Sequence, residues 1–586
     1  MLAQASYTCH VSGKQSSSLN SRRTRTTLKY NKVSANRRSR IASSRPARQA
    51  VLVQGDRDFK SNAASSSDVL SNAPLDNTDD EEVAANCPYT ATKNLVSNVN
   101  GQPPTTTGPG AVYPGPGKNG FRNLIDVMYI GLFGIEKSTL HFAESYGPIA
   151  RFPNPVNLGA AAGWTFLNDP ELIEHCCASN SANYAERFLP EIYAFVTDDK
   201  GILGSSGSYN RQHRKMCMPF FQKKSALQKF AGVVVERAST IADIWDAEGE
   251  SAEVELAVQM QRLTLDTIGQ VSFSYDFKQL EGMEINGATA SEGEIATDRI
   301  LVDINTAQDV MGKVFVTPRP ILELMAKLRE PNIVRMQAAF KDMRETVTPV
   351  IQARRQKIAR GESGEDDLLE ALLTAEGSLG WTDDEIWEDV HDVMGAGHET
   401  TASTLTAALY SISQHPEVDA RMQAEIAEVL GDRAPTYDDM DKLVYCQQVV
   451  KEVLRLYPPI PVFPRVAAKE DTLPTGHKVI PNEVIFMSSY AMGRSDHVWE
   501  KPQTFDPSRF DPENEVHRFQ WVPFGAGPRM CMGAGFAMLS TTLALVRLVQ
   551  RYQFESLKPQ GPVFPIAYDI TMNFPGGVDM KLTKRQ

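Results

Sequence analysis

No Cys-x-x-Cys pair occurs anywhere in this chain of 586 residues. Structural zinc asks for about four ligands, usually supplied by such pairs, so a zinc-finger or ribbon class is excluded. The seven cysteines (Cys9, Cys87, Cys176, Cys177, Cys217, Cys446 and Cys531) are scattered, odd in number and without framework spacing. That argues against a secreted disulfide scaffold and for a reducing compartment. The first 50 residues contain no Asp or Glu, and no apolar run long enough for a secretory signal or a membrane span. What they do contain is eleven Lys and Arg among many Ser and Thr. Residues 1–50 therefore read as an organelle transit peptide, the Ser-rich composition favouring plastid over mitochondrion, with a basic tail that stays attached as the alternative. The whole chain still has a formal net charge of −12, so its remainder is strongly acidic and should repel nucleic acid.

Residues 51–120 turn acidic and Ser/Asn-rich, then Pro/Gly/Thr-rich, which reads as a disordered segment and linker. From 121 to 586 the composition is globular, and its length suffices for a large core. Asn123 to Ile135 is apolar but shorter than the roughly 20 residues of a spanning helix. It suits a core helix, or one lying peripherally on a membrane surface. Short β-prone runs between Pro148 and Leu167 predict a hairpin, and the turn at Pro474 to His477 with Val484-Ile485-Phe486 predicts a second small β region. Between them helical periodicity dominates, which makes the fold class mainly α with small β-sheets.

The longest predicted helix starts at the capping-box spacing Thr382-Asp383-Asp384-Glu385 and runs to His415, before Pro416. Its roughly 33 residues would span about 50 Å. Its middle, Gly395-Ala396-Gly397-His398-Glu399-Thr400-Thr401, carries two glycines that each cost about 1 kcal/mol relative to alanine, so a cavity or backbone opening is expected there. His398 lacks a second metal-binding partner at i+4, where Ala402 stands. Near the C-terminus, Gly525, Gly527, Gly533 and two prolines stiffen a loop that presents Cys531 just ahead of a helix with apolar spacing at Phe536, Leu539, Leu543 and Val546. The helix dipole and nearby Arg529 are both expected to lower the thiol's pKa and favour the metal-binding thiolate. One thiolate cannot complete a zinc site, whereas axial ligation of a heme iron needs only one. A dinucleotide loop at these glycines lacks the strand–turn–helix context and the following acid.

Phe524, Gly527, Arg529, Cys531 and Gly533, in the spacing F-x-x-G-x-R-x-C-x-G, resemble the heme-binding loop of the cytochrome P450 family, and further motifs keep the family's order from about 140 to 585. The resemblance implies a triangular heme-thiolate fold over 121–586 with heme b (iron protoporphyrin IX), Cys531 as the iron ligand, and Phe524, Gly525, Arg529, Arg465 and Arg214 beside the cofactor. Ala396 to Thr401 resembles the oxygen-activation motif, which implies that Gly397 leaves room beside the iron, Thr400 donates a hydrogen bond to dioxygen and Glu399 relays protons. Glu452 and Arg455, at i and i+3, match a motif whose third member is implied to be Arg509, a buried ionic set for folding. Asn210 stands where the family carries a propionate-binding Trp, four residues before Arg214; asparagine can still donate a hydrogen bond.

The implied reaction is monooxygenation of a lipophilic substrate with dioxygen and two electrons from a separate protein, ferredoxin if the location is a plastid. Arg211, Lys215, Lys223 and Lys224 would form the docking patch. Tyr184 to Val196, Gly201 to Leu203, Arg262 to Asp266 and Gly431 to Thr436 look like the carotenoid-ring hydroxylases. Tyr490 to Arg494 with Trp499 is similar to fatty-acid hydroxylases. A hydroperoxide isomerase or dehydratase that needs no donor, and a heme sensor, are the remaining classes.

Overall fold

The computed structural model describes residues 134–153, 163–281, 295–315, 317–362, 364–379, 381–558 and 566–585. The leader, the 51–120 segment and the apolar stretch from Asn123 up to residue 133 lie outside them. Helices α1 (Ile135–Tyr146), α2 (Gly207–Gln222), α3 (Lys224–Asp246), α4 (Leu256–Phe273), α5 (Ile295–Lys313), α6 (Pro331–Ala359), α7 (Asp383–Gln414), α8 (Val444–Leu456) and α9 (Ala534–Arg551) form the framework, with shorter helices between them. Among the described residues no helix is long and apolar enough to cross a membrane.

Helix α7 begins where the capping box predicts. Thr382 Oγ1 accepts the Glu385 N–H at 3.3 Å and the Glu385 carboxylate accepts the Thr382 N–H at 2.6 Å, while Asp383, Asp384 and Glu385 meet the positive end of the dipole. From Thr401 to Ile412 every residue is buried, because α7 runs through the middle of the protein against α4, α8 and α9. The hydroxyls of Thr404, Thr406 and Ser411 donate to carbonyls four residues back, which lets polar side chains sit there satisfied. Gly397 has a packing role. A Cβ on it would strike the Ile268 side chain of α4, and both residues line one large cavity, so its absence lets the two helices approach at the cavity wall.

The strands are few and short: β1 (Ile149–Pro153), β2 (Gly163–Leu167), β3 (Ser251–Glu255), β4 (Val462–Val466), β5 (Glu483–Ser488), β6 (Tyr552–Ser556) and β7 (Asp579–Lys584), apart from two two-residue pairings. The expected hairpin is present as β1 and β2, but Val484 to Phe486 does not build a separate region. It lies in β5, parallel to β2, in one sheet of order β1-β2-β5-β4. Both central strands are buried at every position, as parallel neighbours are, and an alternation pattern cannot reveal such pairing across the chain. A second sheet of order β3-β7-β6 joins the C-terminus to the start of α4.

The ionic set is assembled as the family pattern implies. Arg455 donates two 2.7 Å hydrogen bonds to Glu452, and Arg509 closes the set with its Nε 3.4 Å from the same carboxylate. The Asp506 N–H also donates to Glu452 at 2.7 Å, and Arg455 spends its other protons on the carbonyls of Gly493, Pro502 and Thr504. Glu452 and Arg455 are at most 2% exposed, so neither charge survives without the other. Glu452→Ala should therefore cost about 3–5 kcal/mol, read as a loss of unfolding free energy in denaturant titration.

Candidate active site

The loop before α9 is rigid because it bonds to itself. Gly525 N–H donates to Val522 O at 3.0 Å, Met530 N–H to Gly527 O at 3.0 Å and Cys531 N–H to Phe524 O at 2.9 Å. Gly525 and Gly527 have φ of 67° and 71°, where a side chain is strained, and a Cβ on Gly527 would also collide with the Cys177 carbonyl. Cys177, a buried residue in a one-turn π-helix, thus backs the loop with its main chain. Cys531 projects into a cavity of about 930 Å³. Its thiol is pushed up by burial, opposed by the Gly533 N–H and by Arg187 and Arg214. Desolvation by the surrounding protein thus opposes the positive groups that the sequence expectation relied on, although the side chain itself is exposed to the cavity. Nor does Arg529 supply that positive charge, because its guanidinium turns to the carbonyl of Ser205 at 3.0 Å.

Four arginines converge beside this loop. Arg214 donates to Met530 O at 2.9 Å, Arg465 to Pro464 O at 2.8 Å, and Arg187 to Arg529 O at 2.9 Å and Leu203 O at 3.1 Å. Among the described residues no carboxylate forms an ion pair with any of them, and the Nε of Arg529 is buried without a partner. Burial, then mutual repulsion, pulls Arg529 down to about 10 and Arg187 to about 9. Uncompensated positive charge facing one cavity fits a group bearing two carboxylates, as the propionates of heme do. Asn210 does not contribute. Its amide donates to Ile202 O at 2.9 Å and Ser205 Oγ at 3.1 Å, so the position that carries Trp in the family braces a loop here.

Across the cavity stands the middle of α7. Thr400 lines the cavity, with its hydroxyl donating to Ala396 O at 2.7 Å. Glu399 is 8% exposed, with Oε2 unpartnered. Burial raises it to about 7 against the hydrogen bonds of Thr571 and Gln308, with Asp569 adding repulsion, so it holds or releases a proton near neutral pH. His398 is fully buried and held neutral by desolvation, and His213 is locked to Asp389 at 2.7 Å, consistent with structural roles for both.

Sequence reasoning missed two supports. Glu388 and Asp392 on α7 accept the backbone N–H groups of Asp198, Lys200, Gly201 and Leu203 at 2.7–2.9 Å, and Asp392 also takes the Tyr193 hydroxyl. They pin the segment 197–205, whose carbonyls at Leu203 and Ser205 hold Arg187 and Arg529. Arg187 itself was missed because nothing near it in the chain marks it. For Glu388 and Asp392 the available hint was an acid repeated at i and i+4 on one helix face.

An apolar cavity with one cysteine at its floor, a ring of unpaired arginines and a hydroxyl–carboxyl pair opposite defines a heme-thiolate protein. A cytochrome P450 family model matches residues 129–572, and the chain belongs to the cytochrome P450 family, whose cofactor is heme b. It is a cytochrome P450 monooxygenase. Protein LUTEIN DEFICIENT 5, chloroplastic, from Arabidopsis thaliana is 29% identical over 436 residues, covering 72% of this chain and 70% of that protein. Carotene epsilon-monooxygenase, chloroplastic, of the same plant is 28% identical over 470 residues, 75% and 80% of the two chains. Cytochrome P450 4A12 of Rattus norvegicus is 28% identical over 402 residues, 66% and 75%.

Arg187→Ala should weaken heme retention by about 1.5–3 kcal/mol, the worth of a charge-assisted hydrogen bond. Heme transfer to apomyoglobin measures it as faster loss, while Asn210→Ala should change the rate little.

Proposed function

We propose that this protein hydroxylates a ring carbon of a carotenoid-class lipophile in the plastid, with electrons from ferredoxin. Residues 1–50 serve as the transit peptide and 121–586 as the catalytic domain. The observation that carries the reading is the large cavity between Cys531 and the Glu399–Thr400 pair, walled mainly by apolar side chains such as Phe188, Ile304, Leu454, Val462 and Phe463. Two of the similar proteins are described as chloroplastic, and one is named a carotene monooxygenase, which supports both location and substrate. The residues that resemble fatty-acid hydroxylases carry less. Tyr490 and Trp499 pack under the guanidiniums of Arg494 and Arg455, 3.8 and 5.4 Å from the ring centroids, so their role is structural.

Bound heme supplies dioxygen activation, with one oxygen atom entering a C–H bond and the other leaving as water with two electrons and two protons. The protein's own residues do the rest. Cys531 offers the sulfur ligand, the four arginines hold the carboxylates, the apolar wall excludes water and orients the substrate, and Glu399 delivers protons beside the Thr400 oxygen. Arg211, Lys215, Lys223 and Lys224 are exposed at the α2–α3 junction, behind the loop that Arg214 anchors, and form the docking face for an acidic donor.

Purified protein given ferredoxin, its reductase and either a carotenoid or a long-chain fatty acid should oxygenate the carotenoid. Fatty-acid turnover without carotenoid turnover would overturn the substrate assignment. Glu399 is protonated below about 7 and charged above it, so product formed per electron should fall as pH rises through that value. Asp569 is the other carboxyl facing it, from the C-terminal segment, and Glu399→Gln should remove the inflection along with most of the coupled activity.

A further inference from the structure

His391 stands on α7 nine residues before Thr400 and lines the same large cavity. Its ring is packed against two others, with centroids 5.1 Å from Phe340 of α6 and 5.7 Å from Trp387, four residues earlier on α7. Nδ1 is enclosed and lies 3.5 Å from Asp392 Oδ1, outside hydrogen-bond geometry. Nε2 is not enclosed, the side chain being 17% exposed, and among the described residues it has no hydrogen-bond partner. The wall around it is apolar, with Ile304 and Met311 of α5 and Phe340 and Met343 of α6. Polar neighbours are already committed. Tyr193 donates its hydroxyl proton to Asp392, whose other oxygen accepts the Leu203 N–H at 2.8 Å.

A free imidazole nitrogen in an apolar wall loses its water when a lipophilic substrate enters, and is then unsatisfied unless the substrate brings a partner. The chemistry of that partner follows from Asp392. A carboxylate beside Nδ1 favours the tautomer that carries its proton there, which leaves Nε2 as the acceptor. A substrate hydroxyl satisfies an acceptor, a carbonyl leaves it unpaired and a carboxylate repels it. Its reach follows from the helix: nine residues at 1.5 Å each put His391 about 13 Å along α7 from Thr400. Between them Gly395 and Ala396 line the cavity, and a Cβ on Gly395 would meet nothing within 4 Å. A flat, rigid chain therefore has room to lie along the helix.

We propose that His391 is a specificity-determining residue that accepts a hydrogen bond from a substrate hydroxyl about 13 Å from the ring carbon that is oxidised. That span is shorter than the distance between the rings of a two-ringed carotenoid. Within the carotenoid class it favours a ring-bearing polyene with a shortened chain that ends in a hydroxyl. This assignment rests on the carotenoid-class reading above and refines it, and the residue takes part in binding alone.

All-trans-retinol, retinal and retinoic acid test it, because they share ring and chain and differ only in the end group. Dissociation constants come from optical titration of the heme-loaded protein, and oxygenation of the ring is followed by product analysis. The wild type should bind retinol about tenfold more tightly than retinal, the worth of one hydrogen bond, and retinoic acid more weakly still. His391→Phe, which fills the space without a nitrogen, should bind retinol and retinal alike. His391→Gln, whose amide oxygen can accept, should keep part of the preference. Equal affinity of the wild type for retinol and retinal would overturn the assignment, as would a preference for retinoic acid or an undiminished preference for retinol in His391→Phe. If His391→Phe does not retain heme, an undiminished preference in His391→Leu overturns it, and the wild-type comparison stands by itself. Oxygenation of a long-chain fatty acid with none of any ring-bearing polyene would instead contradict the carotenoid-class reading.

Discussion

Four guanidinium groups that line one cavity, none of them ion-paired with a carboxylate among the described residues, are the constraint on which the site depends. Burial first, and then repulsion between like charges, lowers the pKa values of Arg187, Arg465 and Arg529. The fold secures each arginine with main-chain carbonyls, those of Leu203, Ser205, Pro464, Ala526, Arg529 and Met530. A carbonyl fixes the geometry of a guanidinium without cancelling its charge. The positive charge is therefore available to a group bearing two carboxylates.

Those carbonyls must in turn be held still, and this falls to the first half of α7. Glu388 and Asp392 take backbone N–H groups from the 197–205 segment, so the helix that presents Glu399 and Thr400 on one side of the cavity also positions the loop that steadies Arg187 and Arg529 on the other. The two halves of the chemistry are thereby set on one rigid element. Glu399 adds a third connection, because among the described residues it alone on that helix borders both the large cavity and a smaller one lined by Val258, Ser403 and Asn573.

What could be read from the chain was local. The capping box at Thr382, the i and i+3 pair of Glu452 and Arg455, the apolar face of α9 and the spacing around Cys531 are all patterns within a few residues, and each stands where that spacing places it. What could not be read was set by partners far away in sequence. Gly397 faces Ile268 because two helices cross there, β5 joins β2 across most of the chain, and Asn210 turns to a loop that no pattern identifies as its neighbour. The upward shift of Cys531 has the same origin: helix dipole and nearby charge are visible in sequence, but desolvation by residues far along the chain is not.

The central claim is that Cys531 binds the iron of a heme gripped by these arginines. The absorption spectrum of the reduced, carbon monoxide-treated protein tests it most directly, because a thiolate opposite carbon monoxide moves the Soret band to markedly longer wavelength than a histidine does. The wild type should show the long-wavelength band and Cys531→Ser should lose it. A band at the position typical of histidine ligation in the wild type, or an unaltered spectrum in Cys531→Ser, would contradict the account.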